Sequence, residues 1–297
     1  MKNSKTKNIL LIICIALAVF VGILFVGMMQ ENFKADETID EVENLPVEKI
    51  KKSQPERSIW LSNEDINPDY VGEVIFESGL INKSFVQATD VYDRNGDLYH
   101  FYTENGALVT NGDNFNGNDV YIWTNWKDMT YDYNILGGSV FMDYRNNLSD
   151  QNIIIYGHHF SEGGGNDPNR VKAFTPLEKL LDEENFKSNN KVKLVLDNET
   201  RFYDLAYVYK FDVNNDFYMG KLQYYRTEYN YDEFNDIVDE DYYQNYIDAA
   251  ETAKLYDTGV KLTTDDKTLT LQTCISNLDG SVYEICVFKQ TNIEYYE

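Results

Sequence analysis

The tightest alternation of apolar and polar residues runs through Lys267-Thr-Leu-Thr-Leu-Gln-Thr-Cys274. Period-two alternation predicts a β-strand with two unlike faces. Leu269, Leu271 and Thr273 fall on one face, and Thr268, Thr270, Gln272 and Cys274 on the other. A second stretch, Ile153 to Tyr156, is a short apolar run that stops at Gly157 and is followed by His158 and His159. Further strands are predicted at Val74–Phe76 and Ser84–Val86 around a turn near Gly79, at Gly138–Tyr144, Val192–Leu196, Phe202–Tyr209, and along Ser281–Phe288. Asn95-Gly96 between alternating aromatics marks a hairpin, and Asn105-Gly106 a second turn. Helical spacing marks Phe174–Leu181 and Ile237–Ala253, where Ile237, Tyr243, Ile247 and Ala250 share a face, and a helix is also offered through Thr38–Leu45. The pattern predicts a mainly β domain with a few helices on its flank.

The N-terminus departs from that pattern. From Asn8 to Met29 the chain is almost unbroken in its apolarity and follows Lys2, Lys5 and Lys7. A run of about 20 apolar residues matches the thickness of a bilayer, and basic residues on its N-terminal side predict a cytoplasmic end. The expected organisation is a cytoplasmic N-terminus over 1–7, a signal anchor over 8–30, a charged linker over 31–58, and a domain over 59–297 outside a single-pass membrane attachment. A cleaved signal peptide carries a shorter apolar region and a small-residue cleavage site, so the anchor is the preferred reading.

Charge narrows the partners. The 26 Lys and Arg stand against 50 Asp and Glu, a net of −24. All 50 acidic residues lie beyond position 30. Such a surface repels phosphate, so no nucleic-acid partner is expected. Three cysteines, Cys14, Cys274 and Cys286, form no disulfide framework. Asn111–Asp119 is rich in Asn, Asp and Gly but lacks the ligand spacing of an EF-hand loop; a polar loop is expected there. No metal and no organic cofactor are called for.

The candidate chemistry lies where two strands end. A lone strand cysteine is more often a small core residue than a nucleophile. Here, though, Cys274 falls on the more polar face at a strand terminus, and His158 follows a glycine at another. A thiol and an imidazole are the minimum parts of an activated thiolate.

Thr270-Leu-Gln-Thr-Cys274 resembles the TLxTC signature of sortases, and Ile155-Tyr-Gly-His-His159 resembles their IYGHH segment in its class B form. Ile66–Gly72, Gly138–Asn146 and Leu255–Val260 resemble, in the same order, other segments of that family. The resemblance implies a closed eight-stranded β-barrel with flanking helices, an inserted helix before the cysteine strand, and a cysteine transpeptidase. It implies Cys274 as nucleophile and His158 as general acid/base, with Gln272 and Thr273 as substrate contacts. It also implies surface proteins bearing a C-terminal sorting signal as substrates, resolved from a thioester by a peptidoglycan-precursor amine. A pilin polymerase using a lysine amine, and a silent protein that binds sorting signals without cutting them, are the alternatives. Papain-like enzymes place the cysteine before the histidine; here His158 precedes Cys274 by 116 residues.

One family feature is missing. Sortases carry an arginine some eight to ten residues after the cysteine, yet no Arg or Lys stands between Cys274 and Lys289. The position falls on Tyr283 or Glu284. Either Tyr283 replaces the arginine, or another such as Arg170 or Arg201 reaches in, or catalysis is weak.

Overall fold

The structure, a computed structural model, describes residues 63–64, 66–93, 95–99, 101–102, 108–109, 115–122, 124–129, 139–159, 173–212, 240–275 and 282–296. The chain divides into two units, Met1–Ser53 and Gln54–Glu297, and all described residues belong to the second. The expected anchor (8–30) and linker (31–58), Arg170 and residues 213–239 lie outside the described residues. Among the described residues no helix is long and apolar enough to cross a membrane.

Eight strands close into a barrel. Among the described residues the strands, in chain order, are β1 (Tyr70–Phe76), β2 (Asn82–Val86), β3 (Phe101–Tyr102), β4 (Leu108–Val109), β5 (Val140–Met142), β6 (Asn152–Tyr156), β7 (Lys191–Val195), β8 (Glu199–Asp212), β9 (Thr268–Cys274) and β10 (Val282–Tyr295). Around the barrel they run β1-β2-β5-β6-β9-β10-β8-β7, and β7 pairs with β1. Strands β3 and β4 form a separate hairpin. The β2/β5 and β6/β9 pairs are parallel and the others antiparallel. The long β8/β10 pair shifts register at Val287/Phe288 and at Gln290/Asn292. Bulges of this kind bend a strand and help a sheet curl closed.

The two faces of β9 behave as their alternation predicts. Leu269 and Leu271 point into the barrel with Ile153 and Ile155 of β6, Val74 and Phe76 of β1, and Cys286 and Phe288 of β10. On the outer face, Ile285 and Val287 of β10 and Tyr207, Tyr209 and Phe211 of β8 are buried under a helix, Glu240–Ala253. That helix presents Tyr243, Tyr246, Ile247 and Ala250, an i, i+3, i+4, i+7 stripe. The expected Ile237 falls outside the described residues. The β6/β9 contact is pinned by Asn152, whose Oδ1 accepts from the hydroxyls of Thr268 (3.0 Å) and Thr270 (2.9 Å).

Two local expectations change. Phe174–Leu181 becomes a 3-10 helix, Thr175–Leu181, with Pro176 in its first turn. The expected polar loop over 111–119 ends in helix: α1 spans Gly117–Ile122. The cause is a reciprocal cap. Asn116 Oδ1 accepts from Asn118 N–H (2.9 Å), while Asp119 Oδ2 accepts from Asn116 N–H (2.8 Å), so orphan donors of the first turn are satisfied. The apolar Val120, Tyr121 and Ile122 then dock on Phe141, Val86 and Tyr70.

Candidate active site

Cys274 ends β9 on the outer face, half-buried. Its neighbour in the barrel is β6, and their parallel register pairs Asn152 with Thr268 through Tyr156 with Gln272. Two contacts carry the pairing past the end of β6: Gly157 N–H donates to the Gln272 carbonyl (3.2 Å), and Thr273 Oγ1 donates to the Gly157 carbonyl (2.6 Å). His158 and Cys274 each stand two residues beyond the last pair, Tyr156 and Gln272, so a continued register would put them on one face of strands about 4.8 Å apart.

Gly157 is required by packing. A Cβ there would lie 2.7 Å from Cγ of Phe174. Phe174 N–H in turn donates to the His158 carbonyl (3.0 Å). The histidine backbone is therefore clasped between β9 and the start of the 3-10 helix. His159 turns to the other side, where its Nε2 lies 3.3 Å from Glu178 Oε2 of that helix.

The His158 ring is held from the far side. Nε2 meets the Ile122 carbonyl, the last residue of α1. A carbonyl only accepts, so Nε2 carries the proton, and in the neutral ring Nδ1 is the acceptor. Burial lowers the imidazole pKa below its ordinary 6.5, opposed by the hydrogen bond to Ile122. The helix that supplies this carbonyl is itself anchored. The Tyr121 hydroxyl donates to Asp69 Oδ2 (2.8 Å), and Asn67 Nδ2 donates to the Tyr121 oxygen (2.9 Å) and to the Trp126 carbonyl (2.7 Å). The sequence reading passed over Ile122; the Asn116-x-x-Asp119 cap ahead of an apolar triplet was its signal.

The other sequence candidates separate. Gln272 shares the outer face with Cys274 and is buried. Thr273 lies on the opposite face, its hydroxyl used to join β9 to β6, so it ties strands together and does not face the thiol's side. Tyr283 is the cross-strand partner of Cys274, and Glu284 that of Thr273. Tyr283 therefore shares the thiol's face, packed beside the outer cluster, whereas Glu284 points inward with Cys286. Arg201 is excluded from the site. It binds Glu199 and the Leu148 carbonyl, and it stands ten residues along β8 from Phe211, the partner of Tyr283. At about 3.3 Å per residue, that is roughly 33 Å of strand. Cys286 is fully buried, and burial raises its thiol pKa well above the ordinary value.

No protein-family model matches the chain. Over 164 residues it is 27% identical to sortase B of Listeria monocytogenes, an alignment covering 54% of this chain and 56% of that protein. Over 139 residues it is 28% identical to sortase B of Staphylococcus aureus, covering 46% and 48%. In sequence and in fold the chain is similar to class B sortases. The crystal structure of Clostridium perfringens sortase B matches 78% of this sortase-like chain and 99% of its own length with a TM-score of 0.55, and at 21% identity that is a likeness of fold. The chain spans about half the length of the curated sortases it matches.

Proposed function

We propose that this sortase-like chain is a membrane-anchored cysteine transpeptidase that cleaves the C-terminal sorting signal of surface proteins and passes them to a cell-wall amine. The observation that supports the reading is the parallel β6/β9 register, whose last pair, Tyr156 and Gln272, precedes His158 and Cys274 by two residues each. A neutral His158 with its acceptor at Nδ1 takes the thiol proton. The sulfur attacks the scissile carbonyl, the C–S bond forms, and the carbonyl π pair moves to oxygen. Collapse breaks the C–N bond, and His158 returns the proton to the leaving amine. An incoming amine then reverses the sequence on the thioester, releasing Cys274. The names of the curated relatives and the five family-like segments support the substrate class.

A second reading has its own support. Residues 275–288, between Cys274 and Lys289, contain no Lys or Arg, as suits a protein that binds sorting signals without cutting them. Incubating the chain with sorting-signal peptides and an amine acceptor, beside Cys274→Ala, separates the two. Cleaved or amine-capped peptides that disappear in the variant are expected. Binding without turnover would replace the enzyme by the receptor.

A further inference from the structure

An acyl transfer at Cys274 places negative charge on the carbonyl oxygen, and that charge needs a donor held close to the sulfur. Strand β10 supplies one. Ile275 N–H donates to the Val282 carbonyl (2.8 Å), which makes 275/282 a hydrogen-bonded pair of the antiparallel ladder. The next pair, Cys274 and Tyr283, falls in the non-hydrogen-bonded phase, where Cα atoms approach to about 4.5 Å and side chains lie nearest. Both side chains project from the same face. The phenol is longer than the cysteine side chain by the length of its ring, enough for its hydroxyl to reach beyond Sγ on that face.

Among the described residues the competing groups point elsewhere. Glu284 faces the barrel interior, and Lys210 of β8 pairs with Glu284, on the face opposite the thiol. Arg201 is engaged far along β8. His158 lies on the other flank of Cys274, across the β6/β9 seam. Three adjacent strands thus present base, nucleophile and hydroxyl in one row: His158, Cys274, Tyr283.

We infer that the Tyr283 hydroxyl donates the hydrogen bond that stabilises the oxyanion formed when Cys274 is acylated. The inference rests on the transpeptidase reading for its natural substrate, but the acylation step can be probed without one. A phenol hydroxyl is a neutral donor, so the site would stabilise its oxyanion by one directed hydrogen bond rather than by a fixed positive charge beside Cys274.

The test compares the full chain with Tyr283→Phe, which keeps the ring and its packing and removes only the hydroxyl. Two reagents act on the same sulfur. p-Nitrophenyl acetate passes through a tetrahedral oxyanion: the C–S bond forms, p-nitrophenolate leaves, and acetyl remains on Cys274. Iodoacetamide displaces iodide at a saturated carbon and forms no oxyanion. Digestion and mass spectrometry locate both adducts, with Cys274→Ala as the control. The expected result is acetylation slowed about 10²-fold in Tyr283→Phe, with alkylation unchanged and acetylation restored in part by Tyr283→Arg. Equal acetylation in both proteins overturns the inference. So does a parallel fall in both reactions, which would make Tyr283 a residue that positions the thiol. A wild-type thiol that is alkylated but never acetylated overturns it as well. The ester bypasses sorting-signal recognition, so Tyr283-dependent acetylation beside inert peptides would sink the transpeptidase reading alone.

Discussion

Glu284 is the sharpest place to perturb this barrel. It points into the interior from β10 with 0% exposure. The Cys286 thiol lies 3.5 Å from its Oε1, and its Oε2 has no hydrogen-bond partner among the described residues. Burial is the main reason its carboxyl rises from an ordinary 4.5 to about 8; the charge on Glu178 adds to the rise and the Lys210 ammonium opposes it. The folded protein therefore holds a proton there that the unfolded chain releases above pH 4.5. The stability this group contributes is complete below 4.5, falls as pH rises, and is lost once pH passes about 8. At 1.36 kcal/mol per pKa unit, the loss is on the order of 3 kcal/mol at pH 7 and about 5 kcal/mol above pH 8. Glu284→Gln keeps the shape and removes the titration. Urea denaturation of the full chain in mild detergent, followed by tryptophan fluorescence between pH 5 and 9, gives the difference directly. The advantage of the glutamine variant should grow by at most about 1.4 kcal/mol per pH unit and level off above pH 8. A difference that stays constant across that range would show that Glu284 is ionised or solvated in the fold, and the interior assignment would be wrong.

Other predictions follow from the site. Burial lowers the His158 pKa below 6.5, so kcat/KM for peptide cleavage should hold down to that pH and fall only as acid protonates the buried ring; an acid limb centred above 6.5 would contradict a neutral base. The same group contributes stability above pH 6.5 that is lost as pH drops through the lowered value. Gly157→Ala brings a methyl to 2.7 Å from the Phe174 ring and should cost about 1–3 kcal/mol, read as a drop in Tm of about 2–4 °C per kcal/mol; an unchanged Tm would mean that Phe174 yields without strain. A thiol reagent applied to the native chain should modify Cys274 and spare Cys286, which is fully buried with its pKa raised. Labelling of Cys286 before denaturation would show that the barrel interior opens.

Much of this arrangement is local and therefore readable in sequence. The alternation of 267–274 sorts its residues onto two faces without knowing what lies beside them, because the pleat itself has period two. The run 153–156 stops where Gly157 stands, and the stripe at 243, 247 and 250 marks a helix with one apolar side. The cap at Asn116 and Asp119 was equally legible, but it was masked by the loop-like composition around it. What the chain could not disclose is which residues share a level across strands. Whether Tyr283 or Glu284 faces the thiol depends on the β9/β10 register, and a slip of one residue exchanges the two faces. The same holds for His158 and Cys274, which lie 116 positions apart and follow the ends of a parallel pairing that local preference does not determine. The exclusion of Arg201 is likewise tertiary: its charge was visible from the start, but only the path of β8 puts it at the far end of a long strand. Sequence alone determined the chemical parts and the faces that carry them, since those follow from side-chain identity and backbone period. The tertiary structure decided which parts stand in one row, because register is set by packing between segments distant in the chain.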